Sequence, residues 1–312
     1  MQVETLHVIF VCYNCGADIV SVLQDLSAGN GDSRRLSVTV VDNASSDDSL
    51  TCLRGYSFTN LNIISSPVNL GFAGGCNLAF DHLPSHGRVL LLNPDVRVPY
   101  DSIDRLISFS TFRPECLIWG GITVDSYGNY DGKCAWREPN LLGIASWAFL
   151  YNAIAARIGR RLPGSYTLSD LELNCHVDAV SGCFMLVDIA TLKRLGGFDE
   201  TFFMYSEEID FCRRARNLGA KPAVCTDAVI EHAGSATLTS SRKQHYLMTS
   251  KSLYLKKHWP SALYRLAMGV LLVGSVIRMG SYTAASLIKP SLGEKAKAWR
   301  GISLGQAKDL FA

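Results

Sequence analysis

The sequence predicts an α/β fold: a mainly parallel central sheet with helices on both faces, followed by a helical region of different character. Three observations carry this. About four strand–helix alternations fit into the first ninety or so residues, the pattern of a mainly parallel sheet covered on both sides. The apolar run Val89–Leu92 stops abruptly at Asn93-Pro94-Asp95, as a buried core strand does where proline cannot donate to the ladder. From Ser240 onward, lysine-bearing helical stretches and a long apolar segment replace the alternation.

Composition narrows the function classes. The chain has 312 residues, 48% hydrophobic, enough for one large domain with an appendage. The charged fraction, 19%, is below the usual ~25%, and mean hydropathy is +0.13, a tilt toward contact with something apolar. A net charge of +2 gives no nucleic-acid signature. The ten cysteines are scattered. Cys76, Cys116, Cys183 and Cys225 read as small core residues. Cys12-Tyr13-Asn14-Cys15 has no second CxxC with which to hold zinc, and a redox pair is the minor reading of it. The N-terminus shows no basic segment followed by an apolar one, so the expectation is a cytoplasmic protein with reduced thiols.

In order, Leu6–Val11 is the first strand, and Ala17–Leu26 a helix whose Ile19, Val22, Leu23 and Leu26 share one face. Leu36–Val41 is the second strand and ends in Asp42-Asn43. Ser45, Ser46, Asp47 and Asp48 offer caps for a short helix to about Leu53. Leu61–Ser65 is the third strand, and Asn69–Asn77 opens a helix toward Leu83. After the fourth strand come a helix over Asp101–Phe112 and a hairpin of Cys116–Val124 with Tyr130–Trp136 about Tyr127-Gly128-Asn129. Leu141–Ile158 reads as a helix flanking the cleft, with a basic turn at Gly159-Arg160-Arg161. His176–Val187 is strand broken at Ser181-Gly182, and Ile189–Leu195 is a helix stopped by Gly196-Gly197. Glu207–Leu218 is a helix with Gly219 as its stop, and Ala223–Glu231 is a strand running to His232.

The expected division is residues 1–238 as the catalytic domain and 239–312 as a helical region. There Lys243–His258 forms a helix, and Leu266–Ile277 is apolar between Arg265 and Arg278. Twelve residues are too few to span a bilayer. A packed helical hairpin is one reading; an interfacial helix with Trp259, Tyr264 and the lysines at head-group level is the favoured one.

The chemistry-bearing residues stand at strand ends. Asp95 lies just past the carboxyl end of a core strand, where open α/β sheets bind ligands. A carboxylate there suits a hard divalent cation carrying phosphate oxygens. Asp42 ends the second strand in the same way and can accept from a base N–H or a ribose hydroxyl. The run Gly71-Phe72-Ala73-Gly74-Gly75 is not a dinucleotide fingerprint; glycine there lets a backbone approach a ligand closely. Glu207 and Glu208 open a helix behind an aromatic cluster, Phe202-Phe203-Met204-Tyr205, whose walls raise a carboxyl pKa toward that of a general base. Asp210 with Arg213 or Arg214 reads as a structural pair. His232, at a strand end, can join Asp95 on Mn²⁺ or Mg²⁺.

Taken together, Val40-Val41-Asp42-Asn43-Ala44-Ser45-Ser46-Asp47, Asn69-Leu70-Gly71-Phe72-Ala73, Leu91-Leu92-Asn93-Pro94-Asp95, Ser181-Gly182, Gly196-Gly197-Phe198-Asp199-Glu200 and Glu207-Glu208-Ile209-Asp210 resemble the inverting family 2 glycosyltransferases, and within them the bacterial rhamnosyltransferase-type branch. The resemblance covers about residues 6–235. It implies a GT-A fold, a nucleotide-sugar donor and a divalent cation, Mn²⁺ or Mg²⁺. It implies donor binding by Tyr13, Asn14, Asp42, Asn69, Gly71, Asn77, Asn93 and Asp95, with Asp42 on the nucleobase. Asp95 and His232 would hold the metal, and Glu208, with Glu207 beside it, would be the base. The donor implied is dTDP-L-rhamnose and the acceptor a glycan or polyprenyl-linked glycan, in cell-surface polysaccharide (O-antigen) synthesis at the inner face of the cytoplasmic membrane, with peripheral membrane contact.

Two residues depart from the family's pattern. Asn93 replaces the first Asp of its Asp-x-Asp, leaving one carboxylate for the metal, and Glu207-Glu208 stands where it has Glu-Asp, leaving the choice of base between the two. A family 2 transferase using a UDP- or GDP-sugar is the nearest alternative. A nucleotidyltransferase or a non-catalytic sugar-binding scaffold are the rivals from other classes.

Overall fold

A computed structural model describes residues 5–29, 36–99, 101–151, 164–232 and 240–311. The chain divides into two compact units. The first is Met1–Arg137, Tyr166–Phe203 and Glu207–Thr237; the second is Glu138–Ser165, Met204–Ser206 and Leu238–Ala312. The second unit therefore takes two internal segments that the expected division had given to the catalytic domain. The expected boundary at 238 itself lies outside the described residues, as do Gly159-Arg160-Arg161.

β1 (Leu6–Cys12) leads into α1 (Gly16–Gly29), whose Ile19, Val22, Leu23 and Leu26 are all fully buried. Burying each is worth about 1.5–3 kcal/mol, which is why this face sets the helix on the sheet. β2 (Leu36–Asn43) is followed by α2 (Ser49–Gly55), which starts later than the Ser45–Asp48 caps suggested. Asp48 makes no side-chain cap; Asp47 accepts from Ser49 N at 3.0 Å instead. β3 (Leu61–Ser66), α3 (Gly71–Phe80), β4 (Arg88–Leu92), a two-residue β5 (Val96–Arg97) and α4 (Ser102–Phe112) come next.

β6 (Ile118–Val124) turns back at the expected place, but the hairpin is only one bridge long. Gly128 and Gly132, at φ 79° and 72°, turn the chain twice in quick succession, so only Tyr130 bridges back to Val124. β7 (Ala135–Trp136) leaves to pair with β8. α5 (Leu141–Ala148) belongs to the second unit, and the rest of that expected helix, 152–158, lies outside the described residues. In the first unit, α6 (Leu168–Leu173), β8 (Ala179–Val180), β9 (Phe184–Asp188), α7 (Ile189–Leu195), α8 (Glu207–Asn217) and β10 (Ala223–His232) complete the chain to the sheet's far side.

The eight-stranded sheet has the order β3-β2-β1-β4-β9-β6-β10-β5. The four amino-terminal strands are parallel, as expected. Beyond them the sheet is mixed: β9 runs antiparallel to both β4 and β6, β10 is parallel to β6, and β5 is antiparallel to β10. Two antiparallel steps restore direction, so β1, β2, β4, β6 and β10 all end at one edge. One core fills each face of the sheet: Val8, Phe10, Leu90 and Leu186 point to α1's side, and Ile9, Leu91, Met185 and Phe211 to the other.

In the second unit, α5 joins α9 (Ser240–His258), α10 (Ser261–Ser286) and α11 (Gly293–Phe311). Met248, Trp299 and Ile302 form its centre. Neither arginine ends α10. Arg278 lies 3.8 Å over the Trp147 ring and donates to the carbonyls of Trp147, Ala148 and Gly274. A β-carbon on Gly274 would come within 2.6 Å of the Ala148 Cα, so glycine sets the closeness of α10 and α5. The expected twelve-residue apolar segment is thus part of a 26-residue helix, long and apolar enough to cross a membrane by length and composition. Ala267, Met268, Leu271, Gly274 and Ser275 pack inward on one face, as they would in a core helix. Leu266, Val273 and Val276 are left on the outer face.

Candidate active site

The expected donor residues gather where β1, β2 and α3 begin or end. Cys12 closes β1, and Tyr13, 37% exposed, follows it. Asn14 turns left-handed at φ 55°; its side chain accepts from Ser46 N at 2.8 Å, and its own N–H donates to Ser45 Oγ at 3.0 Å. Ser45 and Ser46 therefore tie the β1 loop to the β2 loop. Asp42 is buried and accepts from Ser45 N at 3.2 Å. Asn43, fully enclosed, donates to Asn69 Oδ1 and Gly71 O and accepts from Leu70 N, fastening the start of α3 to the end of β2. Asn69 also caps Gly71 N at 2.9 Å.

Gly71 shows why glycine is needed. Its φ is 73°, and a β-carbon would lie 2.0 Å from the Phe203 carbonyl oxygen, which accepts from Phe72 N at 2.9 Å. The close approach seen here is to the chain's own backbone at Phe203, four residues before Glu207. Asn77 is likewise engaged within the fold, donating to Phe198 O and Glu200 Oε1 and accepting from Phe198 N, each at 2.9 Å.

The fourth strand end builds a second corner. Asn93 N donates to Cys183 O at 3.0 Å, and the turn carries Asp95 into register beside β10, where Val96 pairs with His232. His232 Nε2 and Asp95 Oδ2 are 3.6 Å apart. On the other side of the ring, His232 Nδ1 is 3.8 Å from Asp131 Oδ2. Asp131 follows the end of β6 and accepts from Thr123 Oγ1 and Lys133 N. Burial pushes its carboxyl up, but the donors from His232, Thr123 and Lys133 hold it below the usual range.

The third corner is Glu207-Glu208. Tyr205 and Ser206 both adopt left-handed conformations, φ 70° and 67°, immediately before α8. Such residues cost about 1–3 kcal/mol each and concentrate at functional sites. Both glutamates are buried, and Oε2 of each accepts no hydrogen bond. Burial raises Glu208 to about 7, partly offset by its own backbone N–H and the Trp136 indole, which faces it without closing a hydrogen bond of good geometry. Glu207 is pushed well up, first by burial and then by the charge of Glu208. Asp210 pairs with Arg214 at 2.7 Å, as expected from their spacing.

A divalent cation fits the second corner. Two ligands each about 2.1 Å from one ion stand roughly 3–4 Å apart. The Asp95–His232 separation lies in that span, too long for a hydrogen bond, and Asp95 Oδ1 is buried without a partner. No three His, Cys, Asp or Glu side chains among the described residues form a complete metal cluster. Protein ligands this few leave places for substrate phosphate oxygens and water, the usual habit of Mg²⁺.

The description "Glycosyl transferase family 2" matches residues 7–196, more than half the chain. The chain belongs to this family. It is 28% identical over 275 residues to the low-salt glycan biosynthesis hexosyltransferase Agl10 of Haloferax volcanii, covering 82% of this chain and 78% of that one. It is 25% identical to the N-acetylglucosaminyl-diphospho-decaprenol L-rhamnosyltransferase of Mycobacterium tuberculosis, covering 96% of this chain and 99% of that one. Among solved structures it resembles a mannosyltransferase of Pyrobaculum calidifontis in complex with GDP-mannose and Mn²⁺, at a TM-score of 0.58 and 14% identity, covering 98% of this chain and 86% of that one. The sheet is thus GT-A-like, and the family 2 members assign glycosyl transfer to it.

Two residues of these corners escaped the sequence reading. Asp131 was hidden inside an expected hairpin; it lies seven residues past the end of β6, beyond the turn, so the strand-end rule that marks Asp95 does not reach it. Trp136 gave no signal, because only the pairing of β7 with β8 brings its indole to Glu208.

Proposed function

We propose that this family 2 enzyme is an inverting, metal-assisted glycosyltransferase that moves L-rhamnose from dTDP-L-rhamnose to a hydroxyl of a polyprenyl-linked glycan. The observation that carries the mechanism is the pair Glu207/Glu208. Two buried neighbouring carboxyls cannot both ionise readily, so one keeps its proton and the other becomes a base poised near neutral pH. Glu208, at about 7, is that base, and Glu207 is its protonated neighbour. Glu208 takes the acceptor's proton as the acceptor oxygen bonds to the anomeric carbon. The bond to the diphosphate breaks on the opposite face, and dTDP leaves. Asp95 and His232 would hold a divalent cation, which would supply charge neutralisation for the diphosphate. Tyr13, Asn14 and Asp42 form the nucleoside side, with Asn69, Gly71 and Asn93 shaping the loops around it.

The name of the mycobacterial relative supports rhamnose and a polyprenyl diphosphate acceptor. The outer face of α10 supports peripheral contact with the membrane that would carry such an acceptor: Leu266, Val273 and Val276 are each about half exposed, and Leu287 and Ile288, 87% and 90% exposed, continue beyond it. The test offers dTDP-L-rhamnose, a UDP-sugar and a GDP-sugar, each with Mn²⁺ and a short-chain prenyl-diphosphate glycan, and reads product anomeric configuration by NMR. Transfer from dTDP-L-rhamnose with inverted configuration is expected. Preference for a UDP- or GDP-sugar removes rhamnose, a retained configuration removes the single-displacement mechanism, and pyrophosphate release would mark a nucleotidyltransferase.

A further inference from the structure

The imidazole of His232 lies between two carboxylates, with Asp95 3.6 Å from Nε2 and Asp131 3.8 Å from Nδ1. All three side chains are nearly buried, with exposures of 12% for His232, 11% for Asp95 and 5% for Asp131. In its neutral form such a ring presents one nitrogen as donor and the other as lone pair, and the two carboxylates are the alternative partners of the proton. The structure separates them by what else each carboxylate does. Asp131 is fixed on its own side: Oδ1 accepts from Thr123 and Lys133 N, and the Lys133 ammonium stands 3.0 Å from Oδ2. Thr123 lies in β6, beside β10 in the sheet, so Asp131, in the loop after β6, is tied to the strand adjacent to the one that carries His232. Among the described residues Asp95 has no comparable anchors, and its Oδ1 is buried without a partner.

We propose that Asp131 is a positioning residue for the cation site: it accepts the Nδ1 proton of His232, sets the ring's orientation and leaves the Nε2 lone pair facing Asp95. A metal-binding histidine commonly donates its second ring N–H to a carboxylate, which fixes both tautomer and orientation. Asp131 itself does not touch the cation. This rests on the reading that Asp95 and His232 hold a divalent ion, and it adds a third residue to a corner where protein ligands are few. It also accounts for two buried atoms together: Asp131 Oδ2, apart from its ion pair with Lys133, and His232 Nδ1 each stand without a hydrogen-bond partner, 3.8 Å from one another, and a slight approach of the ring satisfies both.

Two measurements on the full-length chain test this. The first uses the unaltered, metal-free protein labelled with ¹⁵N-histidine, at a pH where the ring is neutral. Long-range ¹H–¹⁵N spectra should show His232 as the Nδ1–H tautomer, against the preference of free neutral histidine for Nε2–H. An Nε2–H signal overturns the proposal whether or not any variant folds. The second titrates Mn²⁺, followed by the EPR signal of the free ion, with and without dTDP. Asp131→Ala, or Asp131→Leu where alanine does not fold, should weaken Mn²⁺ binding about 10–100-fold. The Mn²⁺ concentration for half-maximal turnover should rise in step, with kcat at saturating Mn²⁺ little changed. Asp131→Asn, which keeps an acceptor oxygen, should recover most of the affinity. In a His232→Ala background, Asp131→Ala should add no further loss; an equal loss there would make Asp131 a direct ligand or a fold residue and overturn the proposal. Folded Asp131→Ala or Asp131→Leu protein with wild-type Mn²⁺ affinity overturns the positioning role alone. Failure of the unaltered chain to bind Mn²⁺, with or without dTDP, overturns the metal reading as well.

Discussion

Replacing Glu208 with Gln removes one ionisable group from a buried pair and keeps its size. The native state holds the Glu208 proton to about pH 7, against 4.5 for an ordinary glutamate. Each unit of difference is about 1.4 kcal/mol, so ionised Glu208 costs the native state roughly 3 kcal/mol. The folded pKa of this acid is raised, so the native state binds more protons than the unfolded chain between about pH 4.5 and 7, and stability falls as pH rises through that window. Gln has no proton to lose and escapes this fall. Between pH 5 and pH 8, the unaltered protein should lose about 2–3 kcal/mol relative to Glu208→Gln. Other carboxylates titrate alike in both proteins and cancel. Glu207 cancels too, apart from the share of its shift due to the Glu208 charge, which the substitution removes in the same direction. Urea unfolding followed by circular dichroism at pH 5, 6, 7 and 8 measures the difference. The same substitution should abolish transfer, while kcat/KM of the unaltered enzyme should rise with an inflection near pH 7. Parallel stability profiles would refute the burial argument. Substantial turnover in Glu208→Gln, together with its loss in Glu207→Gln, would move the base to Glu207.

Asp95→Ala should abolish the Mn²⁺-dependent rise in melting temperature that dTDP produces in the unaltered protein; saturation at a hundredfold over Kd is worth about 2.7 kcal/mol. An undiminished rise in the variant would remove Asp95 from the metal site. Gly71→Ala should lower the melting midpoint by several degrees, because its β-carbon would stand 2.0 Å from the Phe203 carbonyl oxygen at a φ of 73°. A midpoint within one degree of the unaltered protein would show that the loop gives way. Val273→Glu with Val276→Glu should release the protein from sedimenting phospholipid vesicles at an unchanged melting temperature, since both side chains are about half exposed. Vesicle binding that survives the double change would leave the outer face of α10 with no role at the membrane.

What the sequence made legible follows from the length scale of each signal. β1 to β4 and the helices between them are local patterns with clean breakers, and they stand close to where periodicity put them. Asp95 and His232 were legible as strand-end residues, and β5–β10 pairing brings them together. The antiparallel placement of β9 between β4 and β6 was not legible, because a buried strand looks the same in either direction. The hairpin after β6 stops at one bridge for a reason in the backbone. Alternation continues through Tyr130–Trp136, but Gly132 turns the chain away, and one positive φ outweighs several residues of β propensity. In α10, the two arginines read as ends of an apolar segment. Arg278 instead spends its donors on three carbonyls and its face on Trp147, none of which is near it in sequence apart from Gly274.

The family-like motif Gly196-Gly197-Phe198-Asp199-Glu200 gains a physical role from its contacts, and Asn77 tests it. The segment before α8 is held at three places within the first unit. Arg214 of α8 donates to Leu195 O and Gly197 O; Asn77 of α3 grips both backbone groups of Phe198; and Phe72 N holds Phe203 O. Phe198 is buried against Phe72, Phe80 and Phe211, at centroid distances of 5.9, 5.8 and 5.0 Å. These fastenings fix the chain that enters the strained turn at Tyr205-Ser206, and so fix where Glu207 and Glu208 emerge. Asn77→Ala removes three hydrogen bonds and leaves the buried Phe198 amide without its side-chain partner. At about 1 kcal/mol for each lost bond, the expected destabilisation is roughly 2–3 kcal/mol. If Asn77 acts through Phe198, kcat should fall while the donor KM stays within about twofold, because removing a positioning contact costs the transition state more than ground-state binding. A raised donor KM with unchanged kcat and unchanged stability would return Asn77 to the donor site, where the resemblance had put it. Steady-state kinetics with varied donor, alongside a urea melt of the same preparation, separates the two.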